Sequence, residues 1–308
     1  MALGGGGSRG RRSGGPAGGW KDWVVLATLV LALAVAMVGV GRSWGSVWRE
    51  LWIGSQGQAA AGEVVEDGVA AGQPQVEGSR PDVSEEDVLP ETEDAGVLPV
   101  RAVSYTSWDA DASPNYWRMV GAAVVDVDIP AGQVWYAPLD ALGRTTRAAG
   151  TVNFALMEDG LARERGSLQG HDPSGWGHNE RASIALPGDR SYNGYFWNRS
   201  HLVAKSLGGS DEVDNLVCGT RTQNVGANDG KGGMSYVEGL VRDWLFDHPE
   251  GTVFYSATPA YEGDELVCRS VVVDVRSDDG QLDLEVEVYN AALGYRIDYA
   301  TGEFWAEG

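Results

Sequence analysis

The sequence predicts an α+β domain between residues 100 and 308, and three observations carry that prediction. Met234, Val237, Leu240, Val241, Trp244 and Leu245 recur at helical spacing, with Glu238, Arg242 and Asp243 between them. Thr252 to Ala257, Leu266 to Val275 and Leu282 to Tyr289 alternate apolar and polar residues, and Ser277-Asp278-Asp279-Gly280 between the last two is a hairpin turn signal. The composition also breaks near residue 99: the residues before it cannot bury a core, and those after it can.

Residues 1–22 are rich in Gly, Ser and Arg without hydrophobic period, and read as a disordered basic flank. Trp23 to Gly41 carries no charge and is long enough to cross a bilayer as a helix. Basic residues before it favour a cytoplasmic N-terminus, which places everything after Gly41 outside the cell. A cleaved signal peptide stands as the other reading. The length of the run and its weak small-residue exit, Val38-Gly39-Val40-Gly41, favour a retained anchor. In the juxtamembrane stretch that opens residues 42–99, Trp44, Trp48 and Trp52 would line one helical face at the membrane interface or pack on another surface. From Gly54 to about Leu98 the chain is rich in Ala, Gly, Glu, Asp, Val and Pro, and reads as an acidic disordered tether.

Within the domain, Ala122 to Val127 and Gln133 to Tyr136 read as strand-like segments around the turn Asp128 to Gly132, followed by a strand over Gly150 to Phe154. The net charge of −21 argues against a passive basic nucleic-acid binder. Its distribution leaves room for a local basic groove. Acidic residues crowd Glu63 to Asp94 and Glu262 to Glu307, whereas Arg144, Arg147, Arg181, Arg190, Arg199, Lys205, Arg221, Lys231 and Arg242 fall between them. The two cysteines, Cys218 and Cys268, are a disulfide candidate in an exported domain and two buried thiols in a cytosolic one. Neither has a Cys or His at zinc-ligand spacing.

Chemistry concentrates in Phe196 to Asn228. Aromatic Tyr195-Phe196-Trp197 runs into Asn198-Arg199-Ser200-His201, as in a buried strand that presents a histidine at an open edge. Gly208-Gly209 turns the chain, Asn215-Leu216-Val217-Cys218 returns as a short strand, and Gly219 to Asn224 offers polar groups able to hold a metal or a phosphate. A neutral imidazole at His201 suits a general base, and a hydrated Mg²⁺ would need only one or two protein oxygens beside phosphate and water. Arg199 and Arg221 are candidates to clamp phosphate, although Arg199 could instead pair with a buried carboxylate and hold the motif together. Asn215 reads as a strand-end amide, and His171, His178 and His248 read as structural or surface residues.

Asn198-Arg199-Ser200-His201 followed by Gly219-Thr220-Arg221-Thr222-Gln223-Asn224 resembles the DNA/RNA non-specific endonucleases, especially the branch of streptococcal secreted DNases. The resemblance extends to Pro173 to Asn179, Gly232-Gly233-Met234 and Ile297 to Gly302, and so covers the region from about 100 to the end. It implies a mixed sheet with a ββα-metal element. It also implies His201 as general base with Arg199 and Arg221 in catalytic support, and Asn224 as metal ligand with Asn228 as the rival position. Glu238 would orient metal-bound water, and Arg221, Lys205 and Gln223 would meet substrate. Many members carry aspartate at the first motif position, where this chain has Asn198; that carboxylate helps position the histidine.

The function so implied is a metal-dependent endonuclease using Mg²⁺ or Mn²⁺, cutting DNA and RNA to 5′-phosphate ends outside the cell. Its expected partners are nucleic acid and, through residues 23–41, the membrane, with no obligate protein partner. Two other readings are a surface-tethered nucleic-acid binder built on a retired nuclease fold, and an anchored adhesin using the motif as scaffold.

Overall fold

In a computed structural model of the chain, residues 98–164 and 166–308 are described. The basic flank, the apolar run 23–41 and nearly all of 42–99 lie outside the described residues. Among the described residues no helix is long and apolar enough to cross a membrane.

In chain order the elements are β1 (Trp117–Gly121), β2 (Gln133–Tyr136), β3 (Ala148–Asn153), α1 (Phe154–Ala162), β4 (Arg181–Leu186), β5 (Arg190–Tyr195) and β6 (Trp197–His201). They continue with β7 (Leu216–Thr220), α2 (Arg221–Val225), α3 (Gly233–Asp247), β8 (Thr252–Ala260), β9 (Ser270–Ser277), β10 (Asp283–Tyr289), β11 (Tyr295–Asp298) and β12 (Glu303–Ala306). The main sheet runs β1-β10-β9-β8-β3-β2, and β4–β5, β6–β7 and β11–β12 are separate two-stranded ribbons. Every one of these strand pairs is antiparallel, so the sheet expected to be mixed is not.

Alternation along the central strands sorts the two faces of the sheet. Val271, Val273 and Val275 of β9, with Leu284, Val286 and Val288 of β10, join Val237, Val241 and Leu245 of α3 and Met157 of α1 in one core. Each such fully buried side chain contributes about 1.5–3 kcal/mol. The opposite face is held by charge. Arg101 bonds both Asp274 and Glu285, Arg118 Nε meets Glu287 at 2.8 Å, and the fully buried Arg147 donates to Asp126 at 2.6 Å and to Ser256 Oγ at 2.9 Å. Asp274 and Glu287 are buried, and are tolerable there only because each has a guanidinium and hydrogen-bond donors against it.

Local chemistry explains where the elements differ from expectation. The stretch read as a strand over Gly150 to Phe154 stops at Asn153, whose side-chain oxygen caps Leu156 N at 2.9 Å and starts α1. Ala122 to Val127 forms no strand; its backbone N–H groups at Ala123 and Val124 bond the carboxylates of Asp283 and Asp274 at 2.9 and 2.8 Å instead of a ladder. Cys218 and Cys268 are both buried, free thiols, which corrects the disulfide expected of an exported domain. Burial keeps both protonated, with the Cys268 thiol pushed up to about 12.

The β6–β7 ribbon stands outside the main sheet, and Asn290 is one of the buried side chains that tie it there, beside Thr145, whose hydroxyl donates to Leu216 O at 2.6 Å. Asn290, fully buried just beyond β10, donates from Nδ2 to the carbonyls of Cys218 (2.9 Å) and Cys268 (2.8 Å), and its Oδ1 accepts from Thr220 N at 2.8 Å. A second core braces the ribbon from outside: Phe196 stacks on Phe304 of β12 at 3.8 Å, and Trp197 Nε1 donates to Gly302 O at 2.9 Å.

Replacing Asn290 with Leu would strand three buried backbone groups at once. Since each unsatisfied buried group costs about 1–3 kcal/mol, urea denaturation should show a loss of about 3 kcal/mol or more. Asn290→Asp, which cannot donate to either carbonyl, should be comparably destabilised. A loss under about 1 kcal/mol would show that the clamp is dispensable.

Candidate active site

β6 and β7 pair from Trp197↔Thr220 to His201↔Leu216, and α2 follows β7 without an intervening loop. Thr220 makes that junction. Its backbone is extended, its hydroxyl caps Gln223 N at 2.9 Å and donates to Ala291 O at 3.0 Å, so the chain turns from strand into helix at a fixed angle. Gly219 permits the close approach of strand and helix: a methyl there would run into Gln223 Oε1 and the Ser200 side chain. On the other side, Gly208 takes the left-handed conformation (φ 92°) that turns the chain after β6. The fully buried Asn215 closes this loop by bonding Val203 N and Val203 O, both at 2.9 Å, and Ser210 O at 2.8 Å.

The motif residues fall into distinct groups. Asn198 and Ser200 face α2. Asn198 Oδ1 accepts from Asn224 Nδ2 at 3.2 Å and from Arg221 Nη1 at 3.5 Å, and Ser200 Oγ lies 3.4 Å from Asn224 Oδ1. Because a guanidinium can only donate, Arg221 fixes which end of Asn198 is oxygen. That orientation in turn sets the Asn224 amide nitrogen against Asn198, and its carbonyl oxygen meets Ser200 Oγ alone among the described residues. The carboxylate common at the first motif position is thus replaced here by an amide whose oxygen still accepts.

His201, next in the strand after Ser200, meets a carboxylate that the motif does not contain. Its Nε2 lies 2.9 Å from Asp211 Oδ1, and the other Asp211 oxygen lies 3.8 Å from Lys205 Nζ. A carboxylate only accepts, so Nε2 carries the proton and Nδ1 keeps its lone pair. Burial lowers the His201 pKa, outweighing the opposing hydrogen bond and charge of Asp211; Lys205 and Arg163 lower it further. Burial raises Asp211, but the bond from His201 and the charges around it, including Lys205 and Arg163, outweigh that and hold it ionised. At neutral pH the imidazole is therefore uncharged and the two are joined by a hydrogen bond.

Arg199 lies on another side of the strand. It bonds Asp172 Oδ1 through Nε at 3.0 Å and Nη2 at 2.5 Å, and its guanidinium sits 4.2 Å above the Trp176 ring. The carboxylate expected to pair with it exists, but is about half exposed rather than buried. Arg221 sits over Tyr192 at 5.4 Å, and among the described residues no carboxylate pairs with it. Burial lowers its pKa.

Other expected residues lie apart from this centre. Gln223 is fully buried and points between Gly219 and Ser200, which corrects its assignment to substrate contact. Lys205 is bound to the Glu164 carbonyl beside Asp211, at the rear of the histidine. Glu238 lies 3.8 Å from Arg242, near Ser206, and burial pushes its carboxyl up to about 7 against the opposing charge of Arg242. Asn228 lies beyond α2 in a left-handed conformation (φ 56°). Arg144, Arg147 and Arg242 belong to ion pairs and interior hydrogen bonds, so the basic groove is narrower than their place in the sequence implied. The sequence reading missed Asp211 and Asp172. Both lie in loops, where only the fold could show which motif residue they meet.

Three comparisons bear on this geometry. The sequence profile of the DNA/RNA non-specific endonuclease family matches residues 125–279. A deoxyribonuclease of Streptococcus dysgalactiae subsp. equisimilis is 33% identical over 232 residues, covering 65% of this chain and 70% of its own length. The Sda1 nuclease, solved with a bound zinc ion, is 32% identical with a TM-score of 0.62, over 65% of this chain and 100% of its own. The ββα unit lies within the matched residues, and the chain belongs to the DNA/RNA non-specific endonuclease family and is an endonuclease.

Proposed function

We propose that this endonuclease hydrolyses DNA, and RNA alike, without sequence preference, using one divalent cation and His201 as general base. The observation that carries the proposal is the His201–Asp211 contact, which leaves Nδ1 unprotonated one residue from the Ser200–Asn224 contact. Extracellular action is proposed from the apolar run Trp23 to Gly41 that precedes the domain.

The residues present fit a hydrated hard cation. The Asn198 bond engages the Asn224 amide nitrogen and leaves its carbonyl oxygen with only a long 3.4 Å contact from Ser200 Oγ, and among the described residues no group of three or more His, Cys, Asp or Glu side chains could cage an ion. A lone amide oxygen with water and phosphate oxygens suits Mg²⁺ or Mn²⁺ better than the tetrahedral N/S set of structural zinc, though the Sda1 relative carries zinc. Asn224 would hold the cation, with Asn228 as the rival ligand and Glu238 acting through water. When bound, it would supply positive charge against the negative charge that builds on the phosphate oxygens and the leaving oxygen.

His201 Nδ1 takes a proton from the attacking water as its oxygen bonds to phosphorus. The bond from phosphorus to O3′ breaks, O3′ leaves with a proton from solvent, and the phosphate stays on the 5′ side. Asp211 holds the imidazole in the required tautomer and stabilises the imidazolium that forms. Arg221 stands ready for a phosphate oxygen, having no carboxylate against it among the described residues, and Arg199 braces the strand through Asp172 while presenting the remainder of its fork.

A plasmid-nicking assay should show cleavage with Mg²⁺, none in EDTA, and a fall of about 10²–10⁴-fold in His201→Ala. A folded wild type that cuts nothing with any divalent cation from pH 5 to 9 would sink the proposal and leave the retired nucleic-acid binder.

The rate should rise from acid and level off, with its limb below about pH 6.5, because the folded-state pKa of His201 is depressed. Asp211→Asn removes a group that raises that pKa, so the limb should move further to acid while the plateau falls about tenfold or more. An unchanged limb and plateau would assign Asp211 to packing alone.

Asn198→Ala should weaken Mn²⁺ binding, read by electron paramagnetic resonance, whereas Asn198→Asp, which keeps the acceptor, should not. Equal affinities in Asn198→Ala and wild type would show that the Asn224 amide needs no lock.

A further inference from the structure

Between the β4–β5 hairpin and the end of α2 lies a cavity of about 550 Å³. Leu186, Arg190 and Tyr192 line it from the hairpin, and Arg221 and Asn228 from the α2 side. The volume falls within the range of about 300–1,000 Å³ usual for clefts that enclose small ligands. Of the residues given a part in hydrolysis only Arg221 and Asn228 reach this cavity, and the hairpin that walls it has no place in the catalytic motif.

The lining has two chemical halves. Arg221 brings a partly buried guanidinium with no carboxylate against it among the described residues, and a charge withdrawn from water without a counter-ion is costly unless an anion completes it. Arg190 adds a second guanidinium, itself held by Asp229 at 3.1 Å. The other half is aromatic and aliphatic, from Tyr192 and Leu186. The Arg221 guanidinium lies 5.4 Å over one face of the Tyr192 ring, and the Tyr192 hydroxyl donates to Tyr195 O at 3.0 Å and so fixes the plane of the ring. Asn228 adds an amide, with one acceptor and two donor positions, on a backbone held at φ 56°. An anion site beside an aromatic plane and an amide matches a nucleotide: phosphate, base face and base edge.

Its position relates the cavity to the reaction. Asn198 Oδ1 touches both Arg221, at 3.5 Å, and Asn224, at 3.2 Å. One side chain therefore separates the cavity's cation from the proposed metal ligand, a separation of the order of one step along a nucleic-acid strand.

We propose that this cavity is a nucleotide subsite, in which the nucleotide adjoining the scissile phosphate places its phosphate on Arg221, its base against Tyr192 and its base edge on Asn228. The proposal rests on the nuclease reading and deepens it. A base reaches the cavity only after leaving the duplex stack, so frayed or single-stranded segments are the preferred substrate at this position.

The test is calorimetric binding of thymidine 5′-monophosphate and of inorganic phosphate to the full chain in EDTA, with plasmid and single-stranded oligonucleotide cleavage measured on the same preparations. Wild type should bind the nucleotide more tightly than phosphate. Tyr192→Leu should weaken nucleotide binding about tenfold or more and leave phosphate binding unchanged, since stacking on an aromatic ring is what it removes. Arg221→Ala should lose both ligands; Arg221→Lys, which keeps the charge should Arg221→Ala fail to fold, should retain phosphate better than nucleotide. In cleavage, Tyr192→Leu should raise KM more than it lowers kcat, and more for single-stranded than for plasmid substrate.

Equal wild-type affinity for nucleotide and phosphate, or a Tyr192→Leu protein that binds the nucleotide as wild type does, overturns the subsite. If either occurs while plasmid is still cut, the nuclease reading survives without it. Nucleotide binding by a protein that cleaves nothing would overturn the reading on which the proposal rests.

Discussion

The clamp made by Asn290 sets the condition for everything else in the domain. The six-stranded sheet carries the stability, in the valine rows of β9 and β10 packed under α3, yet it contributes no catalytic side chain. The β6–β7 ribbon, which bears His201 and Asn198, is only two strands wide, a size that is marginal in isolation. One amide, satisfied on both sides, joins the two by bonding β7 at Cys218 and Thr220 and the approach to β9 at Cys268. Thr220 then passes the constraint to α2 through its cap, which places Asn224. Precision at the site is thus inherited from the sheet through hydrogen bonds, while the aromatic stack of Phe196 and Phe304 keeps water from competing for them.

Within the site, fixed donors and acceptors decide orientation. Arg221 cannot accept and Asp211 cannot donate, and each of these one-way groups settles the state of a neighbour that could otherwise adopt two. Asn198 and Asn224 are ordered in series from Arg221, and the tautomer of His201 is ordered by Asp211. This also accounts for an acidic protein acting on a polyanion. Most acidic residues lie outside the motif, many of the arginines are spent on interior carboxylates, and the few cations around β6 and α2 are enough for a catalyst that must release its product.

The sequence made the local elements of the site readable and left its partners hidden. The β6 strand, the returning β7 and the α3 helix were all legible, because aromatic runs and apolar periodicity follow from which face is buried. His201, Arg221 and Asn224 could be singled out as candidates from a motif because the ββα unit brings neighbours in sequence near one another. Asp211 and Asp172 could not: an aspartate in an acidic loop looks like solvent-facing charge until the fold shows which ring nitrogen or guanidinium it meets. Gln223 failed for the opposite reason. Its polarity resembles that of its neighbours on α2, and only the approach of Gly219 shows that it points into the protein. The hairpin β4–β5 also escaped notice, although Pro187-Gly188-Asp189 marks its turn, because nothing local says that Tyr192 will stand beside Arg221.

The two free thiols give the molecule a built-in clock. Cys218 and Cys268 are almost wholly enclosed, kept protonated by burial, and supply the two carbonyls that Asn290 holds. A sulfur so placed is inert to a water-soluble disulfide reagent while the ribbon is docked. It reacts only in the moments when the ribbon lifts from the sheet. The pace of labelling therefore follows the openings, local or global, that bring these sulfurs to solvent, without any added probe.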